Sequence, residues 1–220
     1  MPITTRSLTA TYLTGAPIAR RAVRDASLYG EPMHEPTLRA LDPAGAQALL
    51  AELFEPGSDR LAHSLGVGRR AEHVARVLNR PDLLVSAAYL HDVGYAAAAR
   101  DTGLHQLDGA RYLRSLRAGA DLTGLVAHHT CATVEAGERG LADALRREFP
   151  EPAGELLDLL TYCDMTTSAR GETVDVDARL AHIYDRYPPG HLVARSIQQA
   201  EPGLRRIVSC VEHRLERSLR

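Results

Sequence analysis

The chain contains no lysine and no tryptophan; its 26 basic residues are all arginine. That absence excludes a Schiff-base lysine, a Walker-type lysine and a lysine general base, and leaves guanidinium groups, backbone amides or a metal for any phosphate recognition. Cysteine is scarce. Cys131, Cys163 and Cys210 are far apart and form no Cys-x-x-Cys pair, which excludes a disulfide framework and a thiolate zinc site and suits a reducing compartment. Long apolar runs are missing too: residues 1–30 hold no signal-peptide core, and nothing later reaches the ~20 apolar residues of a membrane span. The expectation is a cytoplasmic protein with no membrane partner. Charge of one sign is also lacking. With 28 acidic residues against 26 basic ones the net charge is −2, so no basic field tracks a phosphate backbone and nucleic acid is a disfavoured partner. Finally, no segment alternates apolar and polar residues with period two, which argues against half-buried strands.

What is present is helical periodicity. At 220 residues and 45 % hydrophobic content the chain can bury one good core. Its reading is all-α, an irregular or orthogonal helical bundle without internal repeats. Residues 1–41 mix Thr, Arg, Pro and Gly with short apolar patches and read as an irregular or loosely docked arm. Residues 42–220 form the helical domain. Asp42-Pro43 predicts a helix start, with a stop near Pro56-Gly57. Helices follow from Ser58 or Asp59 to Asn79, from Pro81-Asp82 to near Gly94, from Asp108 to Leu116 and from Asp121 to His128-His129. Four more are predicted over 141–149, 154–167, 177–187 and 191–219.

The chemistry lies in an ordered series: His63, His91-Asp92, His105, His128-His129 and Asp164. Imidazoles and carboxylates are ligands for a hydrolytic divalent metal. His63 stands four and eleven residues before Val67 and Val74. His91 follows Leu84, Ala87 and Ala88 by seven, four and three, and Asp164 follows Leu157 and Leu160 by seven and four, so each shares an apolar helix face. A buried carboxylate needs a partner, and a metal is one. His105 and His128 or His129 could hold a second ion with Asp92 bridging. Adjacent helical residues diverge by ~100°, so the pair cannot serve one ion equally; His129 is favoured over His128. Arg170 and Thr167, in the loop after Asp164, are the candidate substrate contacts. Arg69 and Arg70 could line a rim, and Arg179 and Arg186 could pair with carboxylates. His73, His182, His191 and His213 carry no ordered pattern and read as surface residues.

The pattern His63, His91-Asp92, Asp164, with the stretch Gly103-Leu104-His105-Gln106-Leu107-Asp108-Gly109-Ala110-Arg111, resembles the HD superfamily of metal-dependent phosphohydrolases over about residues 58 to 187. The resemblance implies an HD-type helical domain, a divalent ion at His63, His91, Asp92 and Asp164, and hydrolysis of a phosphate ester or anhydride in a nucleotide or small phosphorylated metabolite. His91 and Asp92 are then the catalytic dipeptide. His105 with His128 or His129 is similar to the extra histidines of two-metal members, which include cyclic-dinucleotide phosphodiesterases, dinucleoside tetraphosphate hydrolases and di-iron oxygenases. No Gly-Tyr-Pro follows the paired histidines, which disfavours the cyclic-dinucleotide group. Fe, Mn, Co, Ni and Zn all suit one or two ions bound by this nitrogen and oxygen set. Two competing expectations are a di-iron oxygenase and a non-catalytic nucleotide sensor. The oligomeric state stays open, a homo-oligomer included.

Overall fold

The computed structural model describes residues 41–218 and 220. The expected arm, residues 1–41, lies outside the described residues apart from Leu41. The described residues form ten helices: α1 (Pro43–Leu53), α2 (Asp59–Leu78), α3 (Asp82–Leu90), α4 (His105–Ser115), α5 (Ala120–His128), α6 (Ala132–Glu138), α7 (Ala142–Glu148), α8 (Leu156–Met165), α9 (Val176–Arg186) and α10 (Leu192–Ser218). No strand occurs among the described residues, only a single bridge between Thr167 and Thr173. The all-α reading stands.

Local signals explain the starts. The Asp42 carboxylate accepts from Gly45 N at 2.8 Å with Pro43 opening α1, Ser58 Oγ accepts from Leu61 N, and Asp175 accepts from Ala178 N at 2.7 Å. Asn79, in the left-handed region at φ 49°, closes α2.

Helix α3 is the axis of the domain. From Leu84 to Leu90 every residue is buried, and α1, α2, α5 and α8 all pack on it. Leu84 and Leu90, fully enclosed, each contribute about 1.5–3 kcal/mol of burial. A second, smaller core joins α4 and α5 to α6 and α7 through Leu104, Leu107, Ala127, Ala136, Leu145 and Phe149. The metal-type residues lie where these elements meet α3.

Two boundaries and one helix differ from expectation. Helix α3 stops at Leu90 instead of reaching Gly94; Asp92 leaves helical geometry at φ −97°, ψ 9°, and a 3-10 turn, Val93–Tyr95, follows. The cause is close packing: a Cβ on Gly94 would fall 1.9 Å from the His105 carbonyl oxygen, so this backbone presses directly on α4. His105 begins α4 instead of preceding it. Helix α6 was not expected at all. Thr130 and Cys131, at φ 31° and 53°, turn the chain sharply after His129, and neither is a residue that announces a left-handed backbone.

Candidate metal centre

Three imidazoles are oriented by the main chain. His63 Nδ1 lies 3.0 Å from the Ser168 carbonyl, His91 Nδ1 2.8 Å from that of Ala88, and His129 Nδ1 2.7 Å from that of Val126. A carbonyl only accepts, so each Nδ1 carries the proton and each Nε2 presents a lone pair. The three Nε2 atoms converge. His63 Nε2 is 3.1 Å from Asp164 Oδ1, and His91 Nε2 is 3.4 Å from Asp92 Oδ2 and 4.0 Å from Asp164 Oδ1. His129 Nε2 is 3.3 Å from His105 Nε2, which in turn stands 3.3 Å from Asp92 Oδ1. The ligand atoms of His63, His91 and Asp164 group within 4.8 Å of one another, as do those of His91, Asp92 and His129. His91 belongs to both groups, and its buried Nε2 has no hydrogen-bond partner. Such an atom, facing two carboxylates, fits a divalent cation by position and donor chemistry.

The surroundings hold these groups in place. Thr130 Oγ1 donates to Asp164 Oδ2 at 2.7 Å, the Arg179 guanidinium donates to Asp164 Oδ1 at 3.1 Å, and Arg60 pairs with Asp92 Oδ2. Arg60 also lies over the Tyr95 ring, 3.9 Å from its centroid, and Tyr95 stacks on His105. On α4 the Asp108 carboxylate receives the amides of Asp101, Thr102 and Gly103 and the Thr102 hydroxyl. That accounts physically for the Gly103–Arg111 stretch: it pins the loop that delivers His105. On the other side Gly171, at φ 77°, docks against α2. A Cβ on Gly66 would meet Gly171 Cα at 2.4 Å, and this contact sets the Ser168 carbonyl beneath His63.

Electrostatics follow from burial and charge. Burial pushes His63 and His105 below their ordinary value and His129 down to about 4. His91 moves the other way: burial disfavours its charge, but the Asp92 carboxylate outweighs that and raises it. Burial alone would raise Asp92 and Asp164. Arg60 and His91 beside the first, and His63 and Arg179 beside the second, hold both carboxyls well below the usual range.

Of the residues singled out in the sequence, His63, His91, Asp92, His105, His129 and Asp164 come together. His128 does not: its Nε2 bonds the Phe149 carbonyl at 2.7 Å, within the smaller core. The helical angle between neighbours sends one histidine inward and the other away. Arg170 is exposed and lines no cavity near the centre, and the Thr167 hydroxyl is turned back onto the Cys163 carbonyl. Arg70 binds Tyr162 and Thr166, while Arg69 reaches the Gly171 carbonyl, so both clamp the α8–α9 loop. A cavity of about 150 Å³ opens over the centre instead beside Arg60, Tyr95, Arg179, Arg186 and Tyr187, with Ile183, Val193 and Ile197 forming an apolar wall. His182, read as a surface residue, is exposed yet stands at this mouth. Arg60 escaped the sequence reading. Its signal was its place one turn before His63, on the same helix face.

Fold and site together define an all-helical domain carrying the histidine and aspartate donor set of a divalent-ion centre. The chain belongs to the HD domain family, whose profile matches residues 60–187. Among curated proteins it is similar to Ribonuclease Y of Chloroflexus aurantiacus, 37 % identical over 108 residues. That match covers 47 % of this chain and 21 % of the relative, so the chain spans about a fifth of the relative's length. No solved structure matches the chain. No helix among the described residues is long and apolar enough to cross a membrane.

Proposed function

We propose that the protein is a metal-dependent phosphohydrolase acting on a nucleotide or another small phosphorylated metabolite. The observation that carries this reading is the convergence of the carbonyl-anchored Nε2 atoms of His63, His91 and His129 on Asp92 and Asp164, beneath a cavity walled by arginine. His63, His91, Asp92 and Asp164 would hold a first ion, and His105 and His129 a second, with Asp92 between them. When bound, such ions polarise a phosphoryl oxygen and make water a competent nucleophile near neutral pH.

The remaining work belongs to the protein. Arg60 and Arg186 line the cavity, and a planar guanidinium is matched to phosphate oxygens. Tyr95 keeps Arg60 flat and shields His105 from solvent by stacking. A carboxylate or histidine beside the centre would manage the proton of the attacking water. The ribonuclease among the relatives acts on RNA by its name. A net charge of −2, with no basic field to track a phosphate backbone, supports a small phosphate ester over a polynucleotide here.

The test is metal analysis of anaerobically purified protein, followed by a phosphate-release screen of nucleotides and phosphorylated metabolites with Mn, Fe, Co, Ni or Zn. Metal-dependent release of phosphate from a member of the screen is expected. A fully metal-loaded protein that releases none would refute the reading. One observation favours a second reading, a di-iron oxygenase: four imidazoles and two carboxylates meet, with His105 and His129 only 3.3 Å apart. Oxygen uptake that requires iron, without phosphate release, would select it.

A further inference from the structure

Arg179 makes a contact that an ion-binding centre cannot keep. Its Nη2 donates to His63 Nε2 at 3.2 Å and to Asp164 Oδ1 at 3.1 Å. His63 Nδ1 is committed to the Ser168 carbonyl, so Nε2 holds the ring's single available lone pair. One lone pair serves one N–H or one metal bond, and a guanidinium and a divalent ion within reach of the same atoms also repel. Arg179 and an ion on His63 and Asp164 therefore exclude each other. The side chain is not otherwise tied down: its Nε is buried without a partner. Helix α9 carries it on the cavity wall, with Arg186 two turns further along the same face.

We propose that ion loading displaces Arg179 from His63 and Asp164, and that the released guanidinium then grips the phosphate group of the substrate. The inference rests on the metal-dependent reading and adds an order to it: ion first, phosphate second. A freed fork offers two parallel N–H donors to two phosphate oxygens. Arg179 thus couples the two ligands. Whatever ion binding gains for phosphate, phosphate returns to the ion by reciprocity.

Mn²⁺ binding by calorimetry, and inorganic phosphate binding to the Mn²⁺-loaded protein, test this on the full chain and on Arg179→Met and Arg179→Lys. Arg179→Met is expected to bind Mn²⁺ at least as tightly as the wild type, because a competitor for the ligand atoms is gone. Its Mn²⁺-loaded form should bind phosphate about tenfold or more weakly, the loss of a charge-assisted pair. Arg179→Lys, which keeps a cation beside Asp164 and guards against misfolding, should retain Mn²⁺ binding and show a smaller loss for phosphate. Weaker Mn²⁺ uptake by both variants beside normal uptake by the wild type would mean that Arg179 supports Asp164, and would overturn the inference alone. Undiminished phosphate binding by both would overturn it equally. A wild type that takes up no divalent ion would overturn the metal-dependent reading itself, and this inference with it.

Discussion

Asp92 is touched from every side: Arg60 holds one oxygen, His105 faces the other, and His91 and His129 close the shell. Asp92→Ala should therefore abolish metal retention and any turnover while helical content, read by circular dichroism, stays near wild type. The paired histidines should separate cleanly. His129→Ala is expected to lower the metal content of the purified protein. His128→Ala should leave it intact but cost about 1–3 kcal/mol in urea denaturation, by orphaning the Phe149 carbonyl. Acidity provides another measure. In metal-free protein His63, His105 and His129 sit below their ordinary 6.5 when folded, so the unfolded chain binds more protons as the pH drops below that value. Their stabilisation is complete above about 6.5 and is lost as pH falls toward about 4, where His129 titrates; His91, raised, opposes them and is outnumbered. The urea midpoint in chelator should thus fall between pH 7 and 4. A midpoint that rises over that range would contradict the arrangement of charges. His63, His91 and Asp164 were legible because ligand types stood on apolar helix faces, and Asp92, His105 and His129 because they completed an ordered series that resembles a family pattern. Arg179 was readable as a carboxylate's partner, and it pairs with Asp164, but not as a neighbour of His63. Arg60 was not readable, since an arginine on a helix looks the same whether it meets water or a carboxylate 32 residues away.

Two backbone contacts between elements hold the halves of the centre. Gly66 against Gly171 seats the α8–α9 loop on α2, and Gly94 against α4 seats His105. Gly94→Ala would push a methyl group onto a carbonyl that has no rotamer to escape into, and overpacking of this kind costs ~1–3 kcal/mol or more. The expected outcome is a lower urea midpoint together with weakened metal binding. A stable Gly94→Ala protein with unaltered metal affinity would show that α4 can shift without consequence. Helix starts were readable from Asp42-Pro43 and Ser58 because capping is a local transaction between a side chain and the next turn. The early end of α3 and the existence of α6 were hidden. The first depends on pressure from α4, distant in sequence, and the second on left-handed Thr130 and Cys131, which composition does not mark.

Taken as a whole, the molecule buries two carboxylates and four imidazoles at the junction of its helices, an arrangement that a bound ion should stabilise. Mn²⁺ at about a hundredfold excess over its dissociation constant should add ~2.7 kcal/mol, or roughly 5–10 °C in the melting temperature for a chain of this size. Chelator should reverse the shift, and a melting curve indifferent to both would count against the centre. The helical class was visible from periodicity, whereas the cavity was not, because its lining is gathered from α2, α4, α8, α9 and α10 at once. Val193 and Ile197 on α10 lie beyond residues 60–187, the stretch shared with the family. The parts of the chain that would grip an ion and this one part of the entrance wall are thus written in different passages of the sequence. Evolution can redraft the second to admit a new molecule while leaving the first untouched.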